Sequence, residues 1–132
     1  MKVTADANIL VRAIMGDDAW QSPLAQAELE RAELVAVTLP ALCELVWVMA
    51  RGYKVAAPAI ADAVRRLTNS ANVAVNRPVA EAGLAALEAG GDFADGVIAF
   101  EGRWLGGEIL LSFDKQAAKV IEAQGGSVRL LA

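Results

Sequence analysis

Histidine is missing from this chain of 132 residues, and cysteine occurs once, as Cys43. Without an imidazole base, Ser-His-Asp and Cys-His nucleophile chemistry is excluded. One thiol and no imidazole leave no ordinary zinc site. No disulfide can close within the chain, which fits a reducing compartment. Long apolar runs are scarce too. Leu39 to Ala50 is broken by Glu44 and has 12 residues, short of the ~20 that span a bilayer. The N-terminus offers only Lys2 before Asp6 interrupts, so no signal peptide is expected. The expectation is a soluble cytoplasmic protein with no membrane partner. No Gly-rich run ends in Gly-Lys-Ser/Thr, which excludes a P-loop.

What remains for acid–base or metal work is oxygen: 7 Asp and 9 Glu, within a net charge of -4. As a bulk number, that charge argues against a nucleic-acid partner. Apolar residues reach 56%, and 28 residues are alanine. Average domains hold roughly 45–50% with glycine included. The excess points to apolar surface buried against a partner or a second copy of the chain.

Strand-like and helix-like segments alternate, with no repeat or long linker. Strands are expected at Val3–Ala5, Leu34–Val37, Asn72–Val75, Glu108–Ser112 and Val128–Leu130. Helices are expected at Asn8–Met15, from Ser22-Pro23 to Arg31, and from a Thr38 cap to Arg51. Further helices are expected at Pro58–Asn69, Pro78–Ala89, Asp92–Leu105 and Lys115–Gln124. Ser22 and Thr38 read as N-caps, and glycines close several helices. The pattern implies one α/β domain over residues 1–132, with a mostly parallel sheet flanked by helices. Ligands of such sheets sit beyond the carboxyl ends of the strands.

Four acids attract attention there. Asp6 follows the first strand, and Asp114 follows the fourth. Glu44 is the one charge in an otherwise apolar helix, which is expected to be buried on most faces. Asp92 and Asp95 open a helix three residues apart, so they share a face. Each has an ordinary alternative as a helix cap or a solvated side chain. Together, Asp6, Glu44, Asp95 and Asp114 can converge at one end of a sheet. Such a cluster persists only when cations neutralise it or protons bind. Oxygen ligands select hard ions, Mg²⁺ or Mn²⁺. Those ions can hold a phosphodiester and activate water without histidine.

These segments resemble the PIN-domain ribonucleases, and among them the VapC-type toxins of bacterial toxin–antitoxin pairs. The likeness rests on Ala5-Asp6-Ala7-Asn8-Ile9-Leu10-Val11-Arg12, Leu39 to Met49, Asp92-Phe93-Ala94-Asp95-Gly96-Val97-Ile98-Ala99 and Leu111-Ser112-Phe113-Asp114. The resemblance implies a PIN-like three-layer sandwich, with a central mostly parallel sheet of 4–5 short strands. It implies that Asp6, Glu44, Asp95 and Asp114 form a catalytic, metal-binding quartet for Mg²⁺ or Mn²⁺, supported by Asn8, Asp92 and Ser112. It implies endonucleolytic RNA cleavage, a small VapB-type antitoxin and a homodimer. Two positions depart from the family. Ala7 stands where Thr or Ser is common, and Gly96 where Ala is frequent.

Arg12 and Lys115 lie nearest these acids in sequence and are the candidates for holding substrate phosphates. Arg51, Lys54, Arg65, Arg66, Arg77 and Arg103 are candidates for a basic rim. Taken singly, each of these reads as a solvated surface residue. Trp20, Trp47 and Trp104 could stack on bases, though the apolar neighbours of Trp47 and Trp104 favour core or interface. Setting aside the four proposed ligands leaves the rest of the chain with no net charge. The competing expectation is a catalytically inactive PIN-fold binding module whose acids only cap helices. A receiver-like domain fits poorly, since no acidic pair follows the first strand.

Overall fold

Short parallel strands alternate with helices through all 132 residues of the computed structural model. The order is β1 (Lys2–Thr4), α1 (Ala7–Met15), α2 (Gln21–Arg31), β2 (Leu34–Ala36) and α3 (Leu39–Trp47). A π-helical turn over Val48–Gly52 continues α3. Then come α4 (Ala57–Thr68), β3 (Val73–Ala74), α5 (Arg77–Glu88) and α6 (Phe93–Trp104). The chain ends with β4 (Leu110–Ser112), α7 (Lys115–Ala123) and β5 (Val128–Leu130). The expected α/β alternation is present, element for element. The chain divides into two compact units, Met1–Asn76 and Arg77–Ala132.

In the first unit, β1, β2 and β3 form a parallel sheet in that order. Val3 lies opposite Val35, and Val35 opposite Val73. The side chains of Leu10, Val35, Leu42, Leu45, Ile60 and Val64 are fully buried, and they supply most of the cohesion. Thr38 caps α3 as expected, its Oγ1 accepting from the Ala41 N–H at 3.3 Å. The cap expected at Ser22 lies elsewhere. Asp18 Oδ1 accepts from the Trp20 and Gln21 N–H groups at 2.9 and 2.7 Å, while Ser22 Oγ accepts from the Asp18 N–H at 3.2 Å. An ionised carboxylate competes better than a hydroxyl for these orphan donors, and the two bonds hold the Asp18 carboxyl below its usual range. Asn72 fastens the start of β3 by donating to the carbonyls of Leu29 and Ala32 at 2.8 and 3.0 Å.

In the second unit, β4 and β5 pair in parallel, with Leu111 opposite Arg129. The single expected sheet of four to five strands is thus a ladder of three and a ladder of two. Apolar alternation reveals where strands lie but not which strand pairs with which. Phe93 and Leu84 are fully buried. Helices α5 and α6 interlock through glycine. A Cβ on Gly83 would stand 2.6 Å from the Phe93 ring, and one on Gly96 would overlap the Ala82 carbonyl oxygen. The departure at Gly96 therefore has a packing reason. Its backbone approaches α5 too closely for a methyl. No helix is long and apolar enough to cross a membrane.

Candidate functional site

The candidate residues of the first unit gather around the start of α1. Asp6 leaves β1 in an extended conformation and caps α1, its Oδ1 accepting from the Ile9 N–H at 3.1 Å. Capping occupies one carboxylate oxygen. Asp6, Asn8 and Arg12 line one cleft of about 450 Å³ between α1 and α2, together with Gln21, Leu24 and Glu28. Asn8 and Arg12, four apart, share a helix face. Glu28 pairs with Arg31 one turn along α2.

Glu44 departs from expectation. Its helix was expected to be buried on most faces, yet Glu44 is exposed, on a solvent stripe with Pro40, Trp47 and Arg51. The interior stripe is Leu42, Leu45, Val46 and Met49. The apolar run misleads because Trp47 is 62% exposed. Trp104 is likewise 80% exposed, so neither tryptophan belongs to the core.

In the second unit, Asp92 and Asp95 sit at the start of α6, and Asp114 at the start of α7. Asp92 occupies the cap position without a side-chain cap bond, and its backbone carbonyl accepts from the Asp95 N–H at 3.1 Å. Asp95 is half-buried. Burial pushes its carboxyl above the ordinary range, and the negative charges of Asp92 and Asp114 push it further. The backbone bond to Asp92 only partly opposes them. Asp114 Oδ1 accepts from the Gln116 and Ala117 N–H groups at 2.9 and 3.1 Å. Ser112 Oγ accepts from the Asp114 N–H at 2.9 Å, fixing the backbone that carries the carboxylate. Lys115 is exposed on the first residue of α7.

The structure thus brings Asp92, Asp95 and Asp114 within electrostatic reach of one another, and places Asp6, Asn8 and Arg12 on one cleft. Glu44 stands apart from that cleft's lining. The donors are all oxygen, the chemistry suited to Mg²⁺ or Mn²⁺, and the raised Asp95 carboxyl is a group that a nearby cation would relieve. Within either unit, no three acidic or thiol side chains already stand in a geometry that could hold an ion. A second cavity of about 150 Å³ beside α6 is lined by Ile98, Ile109 and Ile121 and contains none of the candidate acids.

Three residues around Arg12 escaped the sequence reading. Arg12 Nε donates to Gln21 Oε1 at 2.8 Å, and Nη1 donates to Tyr53 Oη at 3.3 Å. The Tyr53 hydroxyl in turn donates to Asp17 Oδ2 at 2.9 Å. Asp17 Oδ1 also lies 3.8 Å from Arg12 Nη1. The tie to Asp17 raises the Tyr53 hydroxyl pKa. Only Gln21, nine residues from Arg12, leaves a local trace in sequence.

No family model matches the chain, and no curated protein matches it.

Proposed function

We propose that the chain is a metal-dependent endoribonuclease with a PIN-like three-layer fold, acting as the toxin of a toxin–antitoxin pair. The observation that carries the reading is the grouping of Asp95 with Asp92 and Asp114, where a half-buried carboxyl feels two like charges. A protein keeps such an arrangement at a cost to its stability, and functional sites are where that cost recurs. The four motif segments that resemble the family add Asp6 and Glu44 to the set. Mg²⁺ or Mn²⁺ held by these carboxylates would supply Lewis acidity and a hydroxide-like water.

The chain's own residues have distinct tasks. Asp114 is held rigidly by two backbone donors and by Ser112. Asp95 is aimed by a helix that cannot slide away from α5 without losing the Gly96 contact. Asn8 and Arg12 share the cleft with Asp6, and Arg12 supplies its positive charge. Lys115 offers a second cation beside Asp114. A VapB-type antitoxin and a homodimer complete the reading, supported by the exposed apolar side chains Trp104, Leu105, Leu111 and Phe113.

The test is cleavage of single-stranded RNA by the purified chain. Cleavage is expected in Mg²⁺ or Mn²⁺, lost on chelation and restored by adding the ion back. Cleavage that survives chelation, or that Asp95→Asn leaves intact, refutes the reading. One observation favours the inactive binding module: Asp6 and Asp114 do cap helices. Calorimetric titration with Mn²⁺ separates the two, since pure caps bind no ion.

A further inference from the structure

Arg12 is the one cation lining the Asp6 cleft. Its side chain is ordered from three sides, by Gln21 at Nε and by Tyr53 and Asp17 at Nη1. These contacts leave Nη2 to meet an anion in the cleft. Gln21 comes from the first turn of α2, and Tyr53 follows the π-helical turn after α3. The hydroxyl of Tyr53 both accepts from Arg12 and donates to Asp17, so it relays one fixed geometry between a cation and an anion. A free arginine loses much rotamer freedom when it grips a phosphate. Here that freedom is already gone in the folded chain.

We propose that Tyr53, with Asp17 and Gln21, is a positioning clamp that holds Arg12 ready for an RNA phosphate in the Asp6 cleft. This rests on the ribonuclease reading for the identity of the ligand. Arg12 touches the phosphate, and Tyr53 acts through Arg12. Asp6 and Glu28 make the cleft acidic, so the clamp serves a phosphate that arrives with a divalent cation near Asp6. The guanidinium fork then fixes the phosphate's orientation, and not merely its charge.

The test is a double-mutant cycle on binding of a short labelled single-stranded RNA in Ca²⁺, joined to steady-state cleavage in Mg²⁺. Arg12→Ala is expected to weaken binding by about tenfold or more, and Tyr53→Phe by about three- to tenfold. The double variant should bind no more weakly than Arg12→Ala alone. In cleavage, Tyr53→Phe should raise KM and leave kcat close to wild type. Gln21→Ala should move in the same direction and stands in for Tyr53→Phe should that variant fold poorly. Additive effects in the cycle, or a Tyr53→Phe protein that binds like wild type, overturn the clamp. Failure of the wild type to bind RNA overturns it at the root. Binding that follows this pattern without any cleavage upholds the clamp and removes the nuclease reading alone.

Discussion

Gly96 meets Ala82 so closely that a methyl on the glycine would overlap the Ala82 carbonyl oxygen, and would stand 2.8 Å from the Ala86 Cβ. The obstacle is backbone, which cannot rotate away. Gly96→Ala gains about 1 kcal/mol of helix propensity and loses about 1–3 kcal/mol to overpacking. The net expected is destabilisation, by about 1–2 kcal/mol at most sites of this kind. Urea unfolding measures it. A stabilised variant would show that α5 and α6 can part without cost.

Asp95 predicts a pH dependence with a definite sign. Its folded carboxyl lies above the ordinary 3.8, because of burial and then the charges of Asp92 and Asp114. Between 3.8 and the raised value, the folded state binds more protons than the unfolded chain. Stability therefore falls as pH rises through that window, and the loss persists above it. Asp95→Asn should raise Tm at neutral pH, and its advantage should shrink below the window. Parallel Tm–pH curves for the two proteins would refute the strain. Mg²⁺ should stabilise the wild type more than the variant, since only the wild type has this charge to neutralise.

At Asp114 the two roles separate by substitution. Asparagine keeps an oxygen that can accept from Gln116 and Ala117 and discards the charge. Alanine discards both. Asp114→Ala should cost about 0.5–2 kcal/mol as a lost cap, and Asp114→Asn much less. Both should lower RNA cleavage by about 100-fold or more, the upper range for losing even an outer partner of a metal site. Chemical denaturation and an RNA cleavage assay, run side by side, check this. Cleavage that tracks stability across the pair would make Asp114 a cap and nothing else.

Trp104 and Leu105 are 80% and 89% exposed. Replacing both by serine should leave monomer stability within about 0.5 kcal/mol. Self-association, followed by sedimentation, should weaken. An unchanged association would place the apolar contact elsewhere.

Much of the fold is legible in the sequence because its punctuation is local. Thr38 and Pro40 start a helix, and Gly90 and Gly106 take the left-handed conformation that follows one. Where two local signals compete, letters decide poorly. Ser22-Pro23 is a good start signal, yet Asp18 reaches the same donors first. Glu44 shows another limit. An apolar run does not tell a buried tryptophan from an exposed one, so the burial of its neighbours is overstated. The acids at strand ends could be named from position alone. The partners of Arg12 could not, since Tyr53 lies 41 residues away and no pattern links them.

The π-helical turn at Val48–Gly52 has a consequence for Tyr53. The Tyr53 N–H bonds to the Val48 carbonyl, five residues back, so the turn carries one residue more than α-helical winding needs. Each residue of a regular helix advances the face by about 100°. Removing a single residue there would let the segment rewind regularly and swing the tyrosine ring about a quarter-circle from its arginine. Insertions and deletions are usually tolerated at helix ends. This end is a phase-setting spacer, and its length is expected to resist change as firmly as the identity of the tyrosine it aims.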